Sequence, residues 1–432
     1  MKKILFIAYL YPPIANSGTQ RSLKFANYLP EFGWEPIVLT VENPPDQTIE
    51  PALLNRVRPG TRIERVPFWS QIAATKLADA IGWLAPRKKV IEGLEWRLRG
   101  AWQFPDPYAM WKPMVVKRGI ELFHAEHFDC VYASGTPWSA FLAARDIGLA
   151  TKTPYILDYR DTWTSWRMPW DQSSLVRKMI ERALERFVIR QASAVIATTA
   201  MSTEKLKELL PASRHHHLHC IENGYDPPDF KVSSQEKTAN TKTRLVYVGV
   251  WKTGYTLEPL YAAIKGLFVH HQEIQEKLEI IAGGFPPGKC APYRLESMVV
   301  ECGSVPHSTA ISLMHSADIL YLPTPEGEYA NAIFPGKVFE YLATGKPILA
   351  VAHKGSEVDT LLQTMGGAIV VAPGDMKALQ DAILKLVEQR KGFIPPRDVD
   401  AVRKFERRTL TGRLAVVFDG VLVENKNRCL CD

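Results

Sequence analysis

The sequence predicts an α/β protein built from two consecutive domains, each a parallel sheet covered by helices. Three observations carry this expectation. The chain has 432 residues, which suits two domains of ordinary size. Short apolar runs alternate with helical stretches twice, starting at Lys3 and again at Leu245. Between the two series, Asn223-Gly224-Tyr225-Asp226 supplies turn residues, and proline and charge follow through Asp229 to Lys242, as in a linker. The expected boundaries are 1–225, 226–395 and 396–432, the last being helical.

Composition narrows the class. The hydrophobic fraction is 46% and the charged fraction 23%, as in a soluble globular chain. A net charge of +7 favours nucleic acid, anionic lipid or a phosphorylated substrate. No nucleic-acid-binding motif accompanies the charge, so nucleic acid is not expected as a partner. The six cysteines are scattered, as in a reduced, cytoplasmic protein. The opening MKKILFIAYLYPP has the basic start of a signal peptide. Its apolar run stops after about eight residues with no small-residue cleavage site, so a first strand is the better reading. No continuous apolar stretch reaches about 18 residues, so any membrane contact would be peripheral.

Taken in order, Lys3 to Tyr9 reads as a strand, followed by a loop from Tyr11 to Arg21 that contains Gly18, and a helix through Leu29. A glycine loop between a strand and a helix start suits phosphate. It is not GxGxxG, which disfavours a nicotinamide dehydrogenase. Glu35 to Thr40 and Arg62 to Pro67 are further strands. Residues 69–111 interrupt the alternation with Trp69, Trp83, Trp96, Trp102 and Trp111 among Arg87, Lys88, Lys89, Arg97 and Arg99. Two readings stand for this insertion: an interface with the anionic inner leaflet of a membrane, or a helical insertion with its tryptophans packed inward.

Asp129 to Ser134 and Pro154 to Asp158 are strands that end in polar clusters, Gly135-Thr136-Pro137-Trp138-Ser139 and Asp158-Tyr159-Arg160-Asp161-Thr162-Trp163. Ligands of parallel sheets bind beyond the carboxyl ends of strands, which makes Arg160 and Asp161 candidates for an acceptor site. Asp161 would position an acceptor hydroxyl or take its proton. The alternative is a salt-bridge cluster of Asp158, Arg160 and Asp161. Ser173 to Gln191 is a long helix and Ala194 to Thr198 a strand. His215, His216, His217 and His219 match no standard metal spacing, and Asp398-Val399-Asp400 lies outside the strand series, so no metal is expected.

The second series runs through strands at Leu245–Gly249, Leu278–Gly284, Val299–Val305 and Asp318–Leu322, with Lys252 in the loop after the first. It reaches NAIFPGKVFEYLATGKPILAV at Asn331–Val351. Pro335 suits a first helical turn, Gly345 a helix end, and Pro347–Val351 a buried strand. The helix start gathers free N–H groups, Gly336 lets an anion approach, and Lys337 adds charge. Glu340, one turn on, is placed to accept from vicinal hydroxyls. Phosphate and sugar hydroxyls side by side suggest a nucleotide sugar. Strand Ile369–Val371, helix Met376–Gln389 and a terminal helix over Val402–Val423 complete the chain.

The stretch around EYLATGKPIL resembles the nucleotide-binding segment of glycosyltransferase family 4 and its GT-B relatives. Phe104-Pro105-Asp106 followed by Trp111 resembles a phrase in polysaccharide-locus glycosyltransferases, and the DYRDTW phrase resembles a motif in one branch of family 4. The resemblance implies a GT-B fold, two Rossmann-like domains facing across a cleft, with the helices of 396–432 packing back on the first domain. It also implies sugar transfer from a nucleotide-sugar co-substrate to a saccharide or lipid-linked saccharide, retaining and without metal or other cofactor. By the same resemblance Glu340 binds the donor ribose, while Gly18, Gly336, Lys337 and Lys252 serve the diphosphate. The first glutamate of the family's Glu-x7-Glu pair falls at Ala332, and Tyr255 stands where the family usually has arginine. These departures keep an inactive donor-binding scaffold in view, and a sugar-nucleotide epimerase of the same fold, which would bind the same donor, is the other alternative.

Overall fold

The computed structural model describes residues 1–42, 44, 47–67, 104–166, 173–230, 242–249, 256–325, 327–389 and 396–429. Most of the insertion, including Ile72–Leu84, lies outside these residues, as do Lys252 and Tyr255.

Thirteen strands are described. In the first unit they are β1 (Lys2–Ala8), β2 (Trp34–Val41), β3 (Arg62–Val66), β4 (Cys130–Gly135), β5 (Tyr155–Tyr159), β6 (Ala194–Ala197) and β7 (Leu218–Cys220). In the second they are β8 (Thr243–Val248), β9 (Leu278–Gly283), β10 (Val299–Glu301), β11 (Ile319–Pro323), β12 (Ile348–Val351) and β13 (Ala368–Val371). The helices used below are α1 (Ser17–Tyr28), α2 (Lys112–Ala125), α3 (Ser139–Thr151), α4 (Leu175–Ile189), α5 (His307–Ser316), α6 (Lys337–Ala343), α7 (Val399–Arg403) and α8 (Arg407–Cys429).

The sheets are ordered β3-β2-β1-β4-β5-β6-β7 and β10-β9-β8-β11-β12-β13, and every pairing is parallel. Both are Rossmann-like: the strand order reverses between β1 and β4 in one sheet and between β8 and β11 in the other, and ligands of such sheets bind at that reversal. Parallel strands are covered on both faces, so they read as unbroken apolar runs. Leu5 and Ile7 enter one core layer of the first sheet, and Ile4 and Phe6 enter the other. Leu245 and Tyr247 face one layer of the second sheet, Val246 and Val248 the other.

The chain divides into Met1–Glu222 with Arg407–Asp432, and Asn223–Glu406. This differs from the expected 396–432 unit. Residues 396–406 belong to the second unit because their side chains are committed there. Arg397 donates to the carbonyls of Leu342, Lys346 and Gly367 at 2.8–3.1 Å, and Phe405 packs on Phe339 at 4.9 Å. Burial pushes the Arg397 pKa down to about 10, and its donors satisfy the carbonyl end of α6. The expected helix over Val402–Val423 is in fact two, α7 and α8, with the break at 404–406 on the unit boundary. α8 packs in the first unit, where Phe418 meets Trp34 edge-on at 5.2 Å and Asp419 accepts from Trp34 Nε1 at 3.0 Å. Among the described residues no helix is long and apolar enough to cross a membrane.

Candidate functional site

In the first unit, the groups to consider lie at the carboxyl ends of β1, β4 and β5. Asn16 caps α1 by accepting from the Gly18 N–H at 3.0 Å. A Cβ at Gly18 would sit 1.4 Å from Arg160 Nη1, so any side chain there would displace the guanidinium. Arg160 follows β5. It donates from Nε to the Gly135 carbonyl at 2.9 Å and from Nη2 to the Thr136 carbonyl, while the Arg160 carbonyl accepts from Thr198 Oγ1 at 3.2 Å. Gly18 and Arg160, read separately in the sequence, therefore touch at the point where the strand order reverses. Burial pushes the Arg160 pKa down.

The alternative cluster of Asp158, Arg160 and Asp161 does not form. Asp158 is fully buried and accepts from Arg21 Nε at 2.8 Å and Nη2 at 2.7 Å, with the Tyr132 hydroxyl at 2.6 Å. Arg21 also donates to the carbonyls of Ile221 and Glu222 at 3.0 and 2.8 Å, tying α1 to β5 and to the end of the domain. Burial works to lower the Arg21 pKa, and the adjacent Asp158 carboxylate more than offsets this, so the pKa is raised. Asp161 is exposed at the start of the following loop. Trp163 in that loop stacks on Trp138 from the β4 loop, with centroids 5.3 Å apart and planes within 5°.

Two structural carboxylates were not legible as such. Asp106, in the Phe-Pro-Asp phrase, accepts from the Ser139 N–H at 2.7 Å and the Tyr108 N–H at 2.9 Å, holding the start of α3. Glu185 on α4 is fully buried and accepts from the Thr164 hydroxyl, anchoring the loop after Asp161. Burial raises its pKa from 4.5 to about 7. Between those values the folded chain holds a proton that the unfolded chain has released. Stability therefore falls as pH rises through this window and levels off above it. Glu185→Gln is expected to abolish that slope and raise stability at pH 8 by about 3 kcal/mol, with little change at pH 4. Thermal unfolding of both proteins across pH 4–8 checks this; parallel profiles would show that Glu185 does not titrate in that window.

In the second unit, Gly336 caps α6 and Lys337 is its first residue. A Cβ on Gly336 would meet nothing within 4 Å, so neither packing nor backbone conformation demands glycine there. Lys337 Nζ lies 3.9 Å from the Tyr247 ring centroid, and a Cβ on Gly249 would come within 2.7 Å of it. The ammonium is thus held at the carboxyl end of β8, beside the strand-order reversal. The Tyr341 hydroxyl accepts from the Val248 N–H at 2.9 Å and locks α6 to the same strand end. Glu340 is partly exposed, with Oε1 3.0 Å from His307 Nε2 at the start of α5. The sequence singles out Glu340 but not His307, 33 residues away on another element. Ala332 is fully buried, while Glu328 is exposed.

The remaining polar motifs sort by geometry. Asp398 accepts from the Ala401 N–H at 2.9 Å and caps α7, so Asp398-Val399-Asp400 begins a helix. His215 turns to the carbonyls of Lys207 and Leu210 at 3.2 and 3.3 Å. His216, His217 and Glu424 of α8 bring ligand-type atoms within 4.8 Å of one another, the residues best placed to hold a metal among those described.

Residues 18–224 match the glycosyl transferase 4-like domain, and residues 242–389 match glycosyl transferases group 1. Among solved structures, the chain is similar to Anabaena HepE in complex with UDP and glucose, at 16% identity and a TM-score of 0.64 over 97% of this chain and 100% of that one. It is also similar to the sucrose-phosphate synthase of Thermosynechococcus elongatus, at 15% identity and a TM-score of 0.59 over 99% and 98% of the two chains. A third similar structure is the lipopolysaccharide outer core galactosyltransferase WaaB, at 12% identity and a TM-score of 0.55 over 98% and 99%. No curated protein matches the chain.

Proposed function

The chain belongs to the family 4-like, group 1 glycosyltransferases of GT-B fold, and on that premise we propose that it moves a sugar from a nucleoside diphosphate donor to a saccharide hydroxyl in cell-surface glycan or glycolipid assembly. The observation that carries this is the pairing, on one short helix, of Lys337 at the end of β8 with Glu340 one turn on. The ammonium suits a diphosphate and the carboxylate suits two ribose hydroxyls. Uridine is the favoured base, because the HepE structure holds UDP.

Transfer passes through an oxocarbenium-like state in which negative charge grows on the leaving diphosphate. Lys337 and the N–H groups beginning α6 stabilise that charge, with Lys252 adding a second cation. This supply of positive charge supports a reaction without a metal. Retention of configuration follows the family pattern, with the diphosphate taking the acceptor proton. Arg160, fixed by two backbone carbonyls, orients the acceptor loop, and exposed Asp161 receives the acceptor hydroxyl.

Glu340→Gln tests the donor half. The change keeps the shape and removes the charge that strengthens both ribose bonds, so UDP affinity is expected to fall about 10- to 100-fold. Calorimetry with UDP reads this directly. Unchanged affinity would remove Glu340 from the donor site and leave its contact with His307 as structure alone.

A further inference from the structure

Helix α4 is built inside out. An amphipathic helix on a globular domain buries its apolar stripe and exposes its charges. On α4 the two acidic residues face inward: Glu181 is buried and bonded to Arg177 Nε at 2.8 Å, and Glu185 is buried against Thr164. The outer face carries Leu175, Val176, Met179 and Ile180, which are 51–78% exposed, with Phe187 half exposed at its end. At 100° per residue these five lie within one arc of about 140°. The charges that the helix itself sets beside that arc are all basic, Lys178 and Arg182 along one edge, Arg177 along the other, and exposed Arg186 within it, with Arg182 also paired to exposed Glu208 at 3.4 Å. Val188 and Ile189 occupy the inner side and join the core, so the orientation of the helix is fixed by packing.

We propose that the outer face of α4 is a docking surface for an anionic lipid bilayer, with the four aliphatic side chains at its amino-terminal half entering the headgroup boundary and the flanking arginines and lysine meeting lipid phosphates. An apolar strip edged by cations has the chemistry of a helix lying in the membrane interface. A second copy of the chain fits poorly, because a two-fold pairing of this face would set one copy's arginines against the other's. A neutral protein groove would leave the basic edge without a counterpart. α4 follows the β5 loop that carries Asp161, so docking would bring that loop close to acceptors anchored in the same membrane.

The test uses the full chain and vesicles, with no donor or acceptor present, so its failure is separable from failure of the transferase reading. The native protein is expected to co-sediment with phosphatidylglycerol–phosphatidylcholine vesicles and far less with phosphatidylcholine alone. M179E/I180E alters only exposed positions and is expected to lower partition about tenfold or more while leaving thermal unfolding unchanged. Leu175→Ser with Val176→Ser, which adds no charge, is expected to weaken partition in the same direction. Three results would overturn the proposal: no preference of the native protein for anionic vesicles, equal partition of native and both variant proteins, or a native dimer in sedimentation that M179E/I180E converts to monomer.

Discussion

Lys337→Ala is expected to lower kcat by about 10²- to 10³-fold, the usual effect of removing one preorganised group that meets charge developing in the transition state. The fold should survive. The ammonium packs over Tyr247 and against Gly249, but the helix that carries it is held by other contacts, among them the Tyr341 hydroxyl at Val248 and Arg397 at the carbonyl end. Affinity for the nucleotide sugar is expected to fall less than kcat, because the diphosphate bears more charge as it departs than while it is esterified to sugar. Lys337→Arg should restore little activity. The longer planar fork would replace a compact ammonium held over the Tyr247 ring and beside Gly249, where even an added Cβ would come within 2.7 Å of Nζ. Steady-state kinetics with a soluble acceptor decides the matter; equal losses in KM and none in kcat would make Lys337 a ground-state binding residue only.

The second large effect concerns stability. Asp158→Asn leaves the Arg21 guanidinium buried without its carboxylate. Breaking a buried pair from one side costs about 3–5 kcal/mol, since the surviving charge has lost its counter-ion but not its desolvation. Arg21 is 1% exposed and Asp158 fully buried, so water cannot substitute. Its remaining bonds to the Ile221 and Glu222 carbonyls do not replace a charge. Urea unfolding should show the first unit losing structure at lower denaturant. R21M/D158L, which removes both charges, is expected to be more stable than Asp158→Asn alone; the reverse order would show that the pair itself, rather than the orphaned cation, carries the stability.

Some of this could be read from the chain and some could not, for physical reasons. Parallel strands are buried on both faces, so β1, β4 and β8 stand out as apolar runs. β7 does not, because it is three partly buried residues, Leu218–Cys220, including one of the clustered histidines. Glu340 and Lys337 are adjacent turns of one helix and are legible as a motif. Their partners are not: His307 and Tyr247 reach them through the sheet order, and the local sequence does not mark either as a partner. The same holds for Arg21, 137 residues before Asp158, and for Gly18 against Arg160. Hydrophobic periodicity also misses the reversal of α4, since it gives the direction of an apolar stripe relative to the helix but not relative to the core.

The most direct measurement is calorimetry of the full chain against uridine, adenosine, guanosine and thymidine diphosphates, in EDTA, with the corresponding glucose nucleotides alongside. Saturable, metal-free binding of UDP and UDP-sugar is expected, weakened in Glu340→Gln. Absence of binding by every diphosphate, or binding that appears only when a divalent cation is restored, would contradict the central assignment of Lys337 and Glu340 as a metal-independent nucleotide-sugar site.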